Sequence, residues 1–498
     1  MSLIKSANAY YHKHLHWGIT PKLQKLFAKI IFFIPSCTPI SYLNRIPVFL
    51  YLLMGPGHHI YTRLQELVQD IIYVINVDAK IKRGWAERKN VLDGTYKDIR
   101  LHPIVNSRIG VFIPQAISEW HEERRRKDND ILHLYIATSR LGNARVEKII
   151  ARTLHLLVNN EERYFWIYYI FHLNKKIKNE DIVSEWLINL VPSAPYEIKP
   201  SWTMKYITMT NEEEREGEKK AKEMGLTGEF VCIANRESAF DAKECPGSSY
   251  GPSQVVRNSD IYTRADAAKY LSSRSIQCVR MGSVVAQHAD FPNCIDYASD
   301  FYDELMDVWL IKHCKFWVSD EFGINLLARA MNKRCVTTNL NNCTLPFPAS
   351  EPLRDDDIYI IKRLKNMEDG KMLTLEEIAQ VSNLLLIQRG NLASNIDELG
   401  LEVVDNTSTD IMEAVQEMNE RMDGTWIETV EDRVLQERYQ SKLRDFYRKY
   451  GDLYRKFGYN TDVSPGLIGT QFLRNHMDLL DQVDSRFMHL CDGLLGSD

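Results

Sequence analysis

Four apolar runs in the second half of the chain each end in residues able to grip an anion. Asn235, Arg236, Glu237 and Ser238 follow the run 230–234. Arg280 closes the run 276–280 and leads into Met281 and Gly282. Ser319, Asp320, Glu321, Phe322 and Gly323 follow 316–318, and Asn339 follows 335–338. Arginine offers a planar fork that matches phosphate. Gly323 lets a ligand approach the backbone closely, the helix pattern after it presents unpaired N–H groups, and Ser319 carries a hydroxyl. Each signal has a bland counterpart. A Ser-Asp-x-x-Gly turn before a helix serves as a cap, and a strand-end arginine commonly makes a surface ion pair. Four such ends together bring the ligand site level with the purely structural account.

A polar loop over 241–260, DAKECPGSSYGPSQVVRNSD, is long for a strand-to-helix connection. Tyr250, Arg257, Asn258 and Asp260 are placed to reach over a ligand, unless the loop is held only by its own turns. Other signals lead nowhere. Asp355, Asp356 and Asp357 precede a strand rather than follow one and read as solvated turn carboxylates. His12, His14 and His16, like His58 and His59, have no neighbouring ligands to complete a zinc set. The sequence contains no phosphate-binding Walker loop, Gly-x-Ser-x-Gly elbow or dinucleotide Gly-x-Gly-x-x-Gly after a strand. No metal site is expected.

The elements that must position these residues alternate. The strand-like runs are 230–234, 276–280, 316–318, 335–338, 358–361 and 401–404. Helix-like stretches at 264–271, 302–313, 324–331 and 375–386 lie between several of them. Short β-rich runs alternating with helices imply a parallel sheet covered on both faces, with ligands at the carboxyl ends of its strands. In the first half, 71–77 and 131–137 read as buried strands and 144–158 as the amphipathic helix after the second. Three prolines at 191–202 mark a boundary. Residues 211–224 read as an exposed helix with Glu–Lys pairs. Beyond Thr409 the pattern is helical over 411–421, 428–456 and 468–483.

With 498 residues the chain exceeds one ordinary core, so two domains are expected. The charge balance of 62 − 67 = −5, with no polybasic end, argues against a nucleic-acid binder. A 44% hydrophobic content excludes a mostly disordered chain. The nine cysteines form no Cys-x-x-Cys pair and suit a reducing, cytoplasmic setting. Residues 26–54 are apolar but cut by Pro35, Pro39, Arg45 and Pro47. A buried helix pair, a peripheral contact with the inner membrane leaflet aided by Lys22, Lys25 and Lys29, and a transmembrane helix are the three readings. The interruptions weigh against the last.

The chain resembles a family of bacterial glycosyltransferases found with surface-polysaccharide genes. The resemblance rests on Ala234–Ser238 (ANRES), Arg257–Asp260 (RNSD), Val279–Gly282 (VRMG), Ile295–Ala298 (IDYA), 307–316 (DVWLIKHCKF) and the Ser319–Gly323 turn. LTLEEI at 373–378, Asn406-Thr407 and GTQFLR at 469–474 continue it, and Arg108-Ile109-Gly110 marks the looser first half. It covers about residues 205–480 well. Family members tend to carry Asp where Glu237 stands, and a small residue where Glu321 and Phe322 stand.

The resemblance implies an α/β chain with two Rossmann-like domains facing across a cleft, the GT-B type, and a helical C-terminal segment. The implied division is an N-terminal helical segment over 1–60, an acceptor domain over 61–200, a nucleotide-sugar domain over 201–408, and helices packing back over 409–498. The implied reaction moves a sugar from a nucleotide-sugar donor to a glycan, lipid-linked or protein acceptor, with inversion and with neither metal nor other cofactor. Arg236, Arg280 and the amides near Gly323 would then stabilise the departing diphosphate. Asp296 and Tyr297 would line the base or ribose, and Glu402 or Asn406 would accept from ribose hydroxyls. Glu119, or His121 in its place, would deprotonate the acceptor. The rivals are a nucleotide-sugar epimerase of the same fold and a non-catalytic nucleotide-sugar-binding scaffold.

Overall fold

The computed structural model describes residues 98–104, 109–125, 131–137, 143–152, 154, 156–158, 207–244, 256–340, 353–388, 396–456, 466–482 and 485–489. They fall into two compact units. One lies within Met1–Arg108, Glu119–Gly142 and Ala151–Ala194, the other within Ile109–Ser118, Asn143–Ile150 and Pro195–Asp498. The runs 26–54 and 71–77 lie outside the described residues.

The first unit holds a parallel sheet in the order β1-β2-β3, formed by β1 (Asp98–Ile104), β2 (Ile131–Ala137) and β3 (Leu156–Val158). The chain runs from β1 to β2 through α1 (Ile109–Arg125). The helix expected over 144–158 is shorter: α2 spans Ala144–Ile150, and Leu156–Val158 pairs instead with Tyr135–Ala137. Helical spacing of apolar residues is a weak prior, and backbone pairing with a neighbouring strand overrides it here.

The second unit is built on a sheet that is parallel throughout its described strands. These are β4 (Phe230–Ile233), β5 (Gln277–Arg280), β6 (Cys294–Ile295), β7 (Trp317–Ser319), β8 (Cys335–Leu340), β9 (Ile358–Ile361) and β12 (Leu467–Ile468). Their order across the sheet is β6-β5-β4-β7-β8-β9-β12. In sequence rank that is 3-2-1-4-5-6-7, the doubly wound arrangement, with its reversal between β4 and β7. β4, β8 and β9 are buried along their whole length, as strands covered on both faces must be.

Between the strands come α3 (Asn211–Glu223), α4 (Ala239–Glu244), α5 (Ala265–Ser273), α6 (Tyr297–Asp300), α7 (Glu304–His313), α8 (Asn325–Ala330) and α9 (Leu375–Gln388). α10 (Ser408–Asp423), α11 (Val430–Lys456) and α12 (Thr470–Asn475) complete the set. One helix group pairs α5 with α10; another gathers α7 with α2, α3 and α8. α3 is the exposed helix expected over 211–224, with the pairs Glu216–Lys220 and Glu218–Lys222, and it buries one narrow face. A Cβ at Gly217 would lie 2.1 Å from the Trp309 ring, so the helix presses a glycine against α7.

Two further expectations change. The run 401–404 forms β11 (Leu401–Val404), but it pairs antiparallel with β10 (Arg363–Asn366) in a separate ribbon. The stretch 468–483 is no single helix: β12 adds a strand beside β9, α12 follows, and a short 3-10 turn covers Met477–Leu480. Gly469 permits this tight exit, since a Cβ there would meet Ile360 at 2.9 Å. Among the described residues no helix is long and apolar enough to cross a membrane.

Candidate functional site

The strand order reverses between β4 and β7, the place where doubly wound sheets have the crevice that binds ligands. The loop after β4 carries Asn235, Arg236 and Glu237; the loop after β7 carries Asp320 to Gly323. A direct bond joins them: the Arg236 amide donates to Asp320 Oδ2 at 3.0 Å.

Asp320 is the hub of this crevice. It is fully buried and also accepts hydrogen bonds from Arg264, Ser259 Oγ, Thr338 Oγ1 (2.9 Å) and Asn339 Nδ2 (3.0 Å). Burial alone would raise its pKa. The Arg264 charge and the bonds from Ser259, Asn339 and the Arg236 amide outweigh burial and hold the carboxyl below its ordinary range. Arg264, itself fully buried, also donates to Ser259 Oγ (2.8 Å) and Thr338 Oγ1 (2.9 Å). Sequence reasoning missed Arg264, although a signal exists. It stands three residues after Ile261 and four before Ala268, both buried, so helical spacing places a cation on an apolar stripe. Such a cation must be paired.

Arg280 is corrected. Its guanidinium is completely buried and engaged internally, with Glu237 Oε1 at 3.1 Å, Asp296 Oδ1 at 3.1 Å and the Gln287 carbonyl at 3.3 Å. It organises the loop after β5 rather than presenting a fork to a ligand. Glu237 ties the same loop down by accepting the Ala286 amide at 2.8 Å. Asp296 and Tyr297 are corrected likewise, both being interior. Asp296 accepts from the Ala289 amide and Ser299 Oγ, each at 2.8 Å. Burial raises its pKa, but those bonds and Arg280 prevail and lower it. Tyr297 is wholly buried, its hydroxyl directed at Asp303 and Asp307, and burial pushes its pKa up.

The Ser319–Gly323 turn closes on itself. Ser319 accepts from Trp317 Nε1 at 2.7 Å and donates to the Asp320 carbonyl at 3.0 Å, all within the interior. Gly323 meets backbone, not open space: a Cβ there would lie 2.9 Å from Gly110 N. Asn339, at φ +50°, and Asn406 clasp one another through their side chains and amides, and Asn406 Nδ2 also reaches the Ile361 carbonyl at 2.7 Å. Asn406 is thus buried and bonded within the fold, whereas Glu402 sits half-exposed on the β10–β11 ribbon, 3.5 Å from Lys365. The aspartates before β9 are not all solvated, because Asp357 is buried against Arg329 at 2.6 Å.

Arg236, Arg257 and Asn258 retain partial exposure at the crevice. Arg236 Nη1 donates to Asn258 Oδ1, and Arg257 Nη2 to the Glu321 carbonyl at 3.2 Å, with its side chain 23% exposed. Asn235 Nδ2 anchors the Ser259 carbonyl at 2.9 Å. Gly282, at φ +154°, continues the loop from Arg280, and a Cβ there would meet Val285 at 2.9 Å. Tyr250 lies outside the described residues. Arg236, Arg257, Arg264 and Arg280 face Glu237, Asp296, Asp320 and Glu321, a balance of 4 − 4 = 0 formal charges. An arriving anion must therefore take an arginine from a carboxylate or carbonyl, and only Arg236 and Arg257 of the four have solvent-facing surface.

Glu119 and His121 belong to the first unit, on the last turns of α1. Glu119 is buried. His121 packs edge-on to Trp120, over whose ring Arg124 lies at 3.4 Å. Burial, then the charges of Arg124 and Arg125, lower the pKa of His121. Among the described residues no group of three or more His, Cys, Asp or Glu side chains is placed to hold a metal ion.

No family model matches the chain, and no curated protein does. Solved structures similar to it include ADP-heptose LPS heptosyltransferase II of E. coli, at 12% identity and a TM-score of 0.33, over 53% of this chain and 90% of that one. A glycosyl transferase family 9 structure from Veillonella parvula matches at 14% identity and 0.37, over 65% and 97%. The iron-containing dodecameric glycosyltransferase TibC of enterotoxigenic E. coli matches at 10% and 0.26, over 51% and 61%.

Proposed function

We propose that the chain is a glycosyltransferase that moves a sugar from a nucleotide-sugar donor to a surface-glycan or glycoconjugate acceptor. The observation that carries this reading is the strand-order reversal between β4 and β7, beside which partly exposed Arg236 bonds Asn258 and partly exposed Arg257 directly precedes it. The ordered motifs that resemble surface-polysaccharide glycosyltransferases supply the reaction class. In this reading Arg236 and Arg257 take the diphosphate and offset the charge that grows on it as the sugar departs. Arg280, Asp296 and Glu237 hold the loop after β5 in place behind them.

A base is needed for the acceptor hydroxyl. His121 suits it because its lowered pKa leaves the imidazole neutral, and so able to take a proton, at neutral pH. Glu119 is the alternative. Inversion at the sugar carbon, independence from metal, and a cytoplasmic location with inner-leaflet contact through residues 26–54 belong to the same proposal.

The charge balance of the crevice favours a second reading, a scaffold that binds nucleotide sugar without turnover. Incubation with a panel of nucleotide sugars separates the two. Released nucleoside diphosphate with a glycosylated acceptor supports transfer; binding without release supports the scaffold; an isomerised donor indicates epimerisation. No binding of any donor removes the crevice as a nucleotide site. Sedimentation with anionic vesicles tests the membrane contact, and a protein left in the supernatant ends it.

A further inference from the structure

Asp307 stands on the buried face of α7, outside the crevice, and has no part in the proposed reaction. Its Oδ2 accepts from Asn143 Nδ2 at 2.9 Å, and its Oδ1 lies 2.9 Å from the Tyr297 hydroxyl. The orientation of Asn143 is settled by its other bonds. Asn143 Oδ1 accepts the Arg145 and Val146 amides at 3.0 and 2.9 Å, and its Nδ2 also donates to the Glu304 carbonyl at 3.2 Å. Oδ2 of Asp307 is therefore an acceptor.

Proton counting then decides Oδ1. The Tyr297 hydroxyl has one proton to donate and lies 2.6 Å from the Asp303 carbonyl oxygen, which has none. A contact that short between two oxygens requires that proton. The hydroxyl also receives the Asp303 amide at 3.1 Å. The remaining contact to Asp307 Oδ1 is attractive only if Asp307 supplies the hydrogen.

We infer that Asp307 is stored in the fold as a neutral acid, its proton closing a latch from Asn143 through Tyr297 to Asp303 that opens as the pH rises. Burial, the largest influence, pushes its carboxyl up to about 7. The bond from Asn143 and the contact with Tyr297 oppose that rise, and the nearby charges of Glu304 and Asp303 reinforce it.

Among the described residues, no cation around it is bonded to Asp307. α6 contributes Tyr297 and Asp300. The turn before α7 contributes Asp303, which holds Lys220 of α3 at 2.7 Å. α7 contributes Glu304, whose Oε2 accepts the Ala144 amide at 3.1 Å, and Lys312 and His313, both on Glu214 of α3. α3 also carries the buried Glu213, which caps its own helix. α2 contributes the buried Glu147, partly exposed Arg145 and exposed Lys148; α8 contributes Arg329, committed to Asp357. Because Asn143 caps α2, the latch governs how firmly 143–150 is held.

The test compares the wild-type chain with Asp307→Asn, whose amide donates to Tyr297 and whose carbonyl accepts from Asn143, as the neutral acid does. The raised folded pKa means the folded state binds the extra proton. Relative to the variant, wild-type folding should weaken by about tenfold in the equilibrium constant per pH unit, from the ordinary carboxylate range up to about 7. Above that the two curves should run parallel. Parallel curves throughout would overturn the latch. Should the variant not fold, the wild type decides alone. Amide exchange of residues 143–150, corrected for its intrinsic pH dependence, should quicken between about pH 6 and pH 8. Isotope-edited infrared spectra should lose a protonated aspartic acid over the same interval. Unchanged exchange, or an Asp307 ionised at about pH 6, refutes it.

Discussion

Gly110 and Gly323 touch backbone to backbone: a Cβ built on Gly110 would lie 2.6 Å from the Gly323 Cα. Neither residue has a positive φ, so the requirement is space rather than backbone conformation. Gly110 is the second residue of α1, and Gly323 ends the turn after β7, so two segments far apart in sequence meet at a point with no room for a methyl group.

Gly110→Ala and Gly323→Ala should each destabilise the fold by about 1–3 kcal/mol, the usual range for overpacking where the neighbour is main chain. Urea unfolding measures this. Wild-type stability in either variant would show that the backbones move apart freely.

Breaking the Arg264–Asp320 pair should cost more, about 3–5 kcal/mol for Arg264→Met or Asp320→Asn, because each leaves a buried group without its partner. The Asp320 pKa is lowered in the folded state, so its contribution is present above the ordinary carboxylate range and is lost as pH falls through the folded value. The stability gap between wild type and Asp320→Asn should therefore narrow in acid. A gap that widens there would contradict the pairing.

Arg236 and Arg280 should separate cleanly. Arg236→Ala, or Arg257→Ala, should weaken nucleoside-diphosphate binding by about 1.5–3 kcal/mol in calorimetric titration and leave thermal unfolding nearly unchanged. Arg280→Ala should instead lose about 3–5 kcal/mol of stability, since it strands Asp296 in the interior. The reverse pattern would return Arg280 to the ligand.

If His121 is the base, transferase activity should rise with pH through a value below 6.5, because the neutral imidazole is the active form and its pKa is lowered. His121→Gln should remove that acidic limb. A limb that persists in the variant moves the role to Glu119 or to another group.

Several motifs that carry the family resemblance turn out to be joints of the fold. Thr374 and Glu377, within LTLEEI, bond reciprocally as a capping box, and Thr407 and Asp410 do the same at the start of α10. Within GTQFLR, Thr470 Oγ1 donates to buried Glu417 at 2.8 Å, and Arg474 pairs with Asp432. A recurring polar residue at an element's end is as well suited to closing a helix as to touching a substrate, and the residue type alone does not distinguish the two.

Local chemistry was enough to mark the strands at 358–361 and 131–137 and the helix starting at Leu375, because apolar runs and caps act over a few residues. It was enough, too, to mark the doubly wound class. Which polar side chain turns inward and which stays wet was beyond its reach. Arg236 and Arg280 look alike in the sequence, yet Arg280 meets Glu237 and Asp296 across two loops, while Arg236 stays at the crevice rim. Gly323 reads as room for a ligand until Gly110 arrives from more than two hundred positions away. Partners so distant are brought together only by the packing of the sheet, and a buried charge takes its role from the partner it meets there.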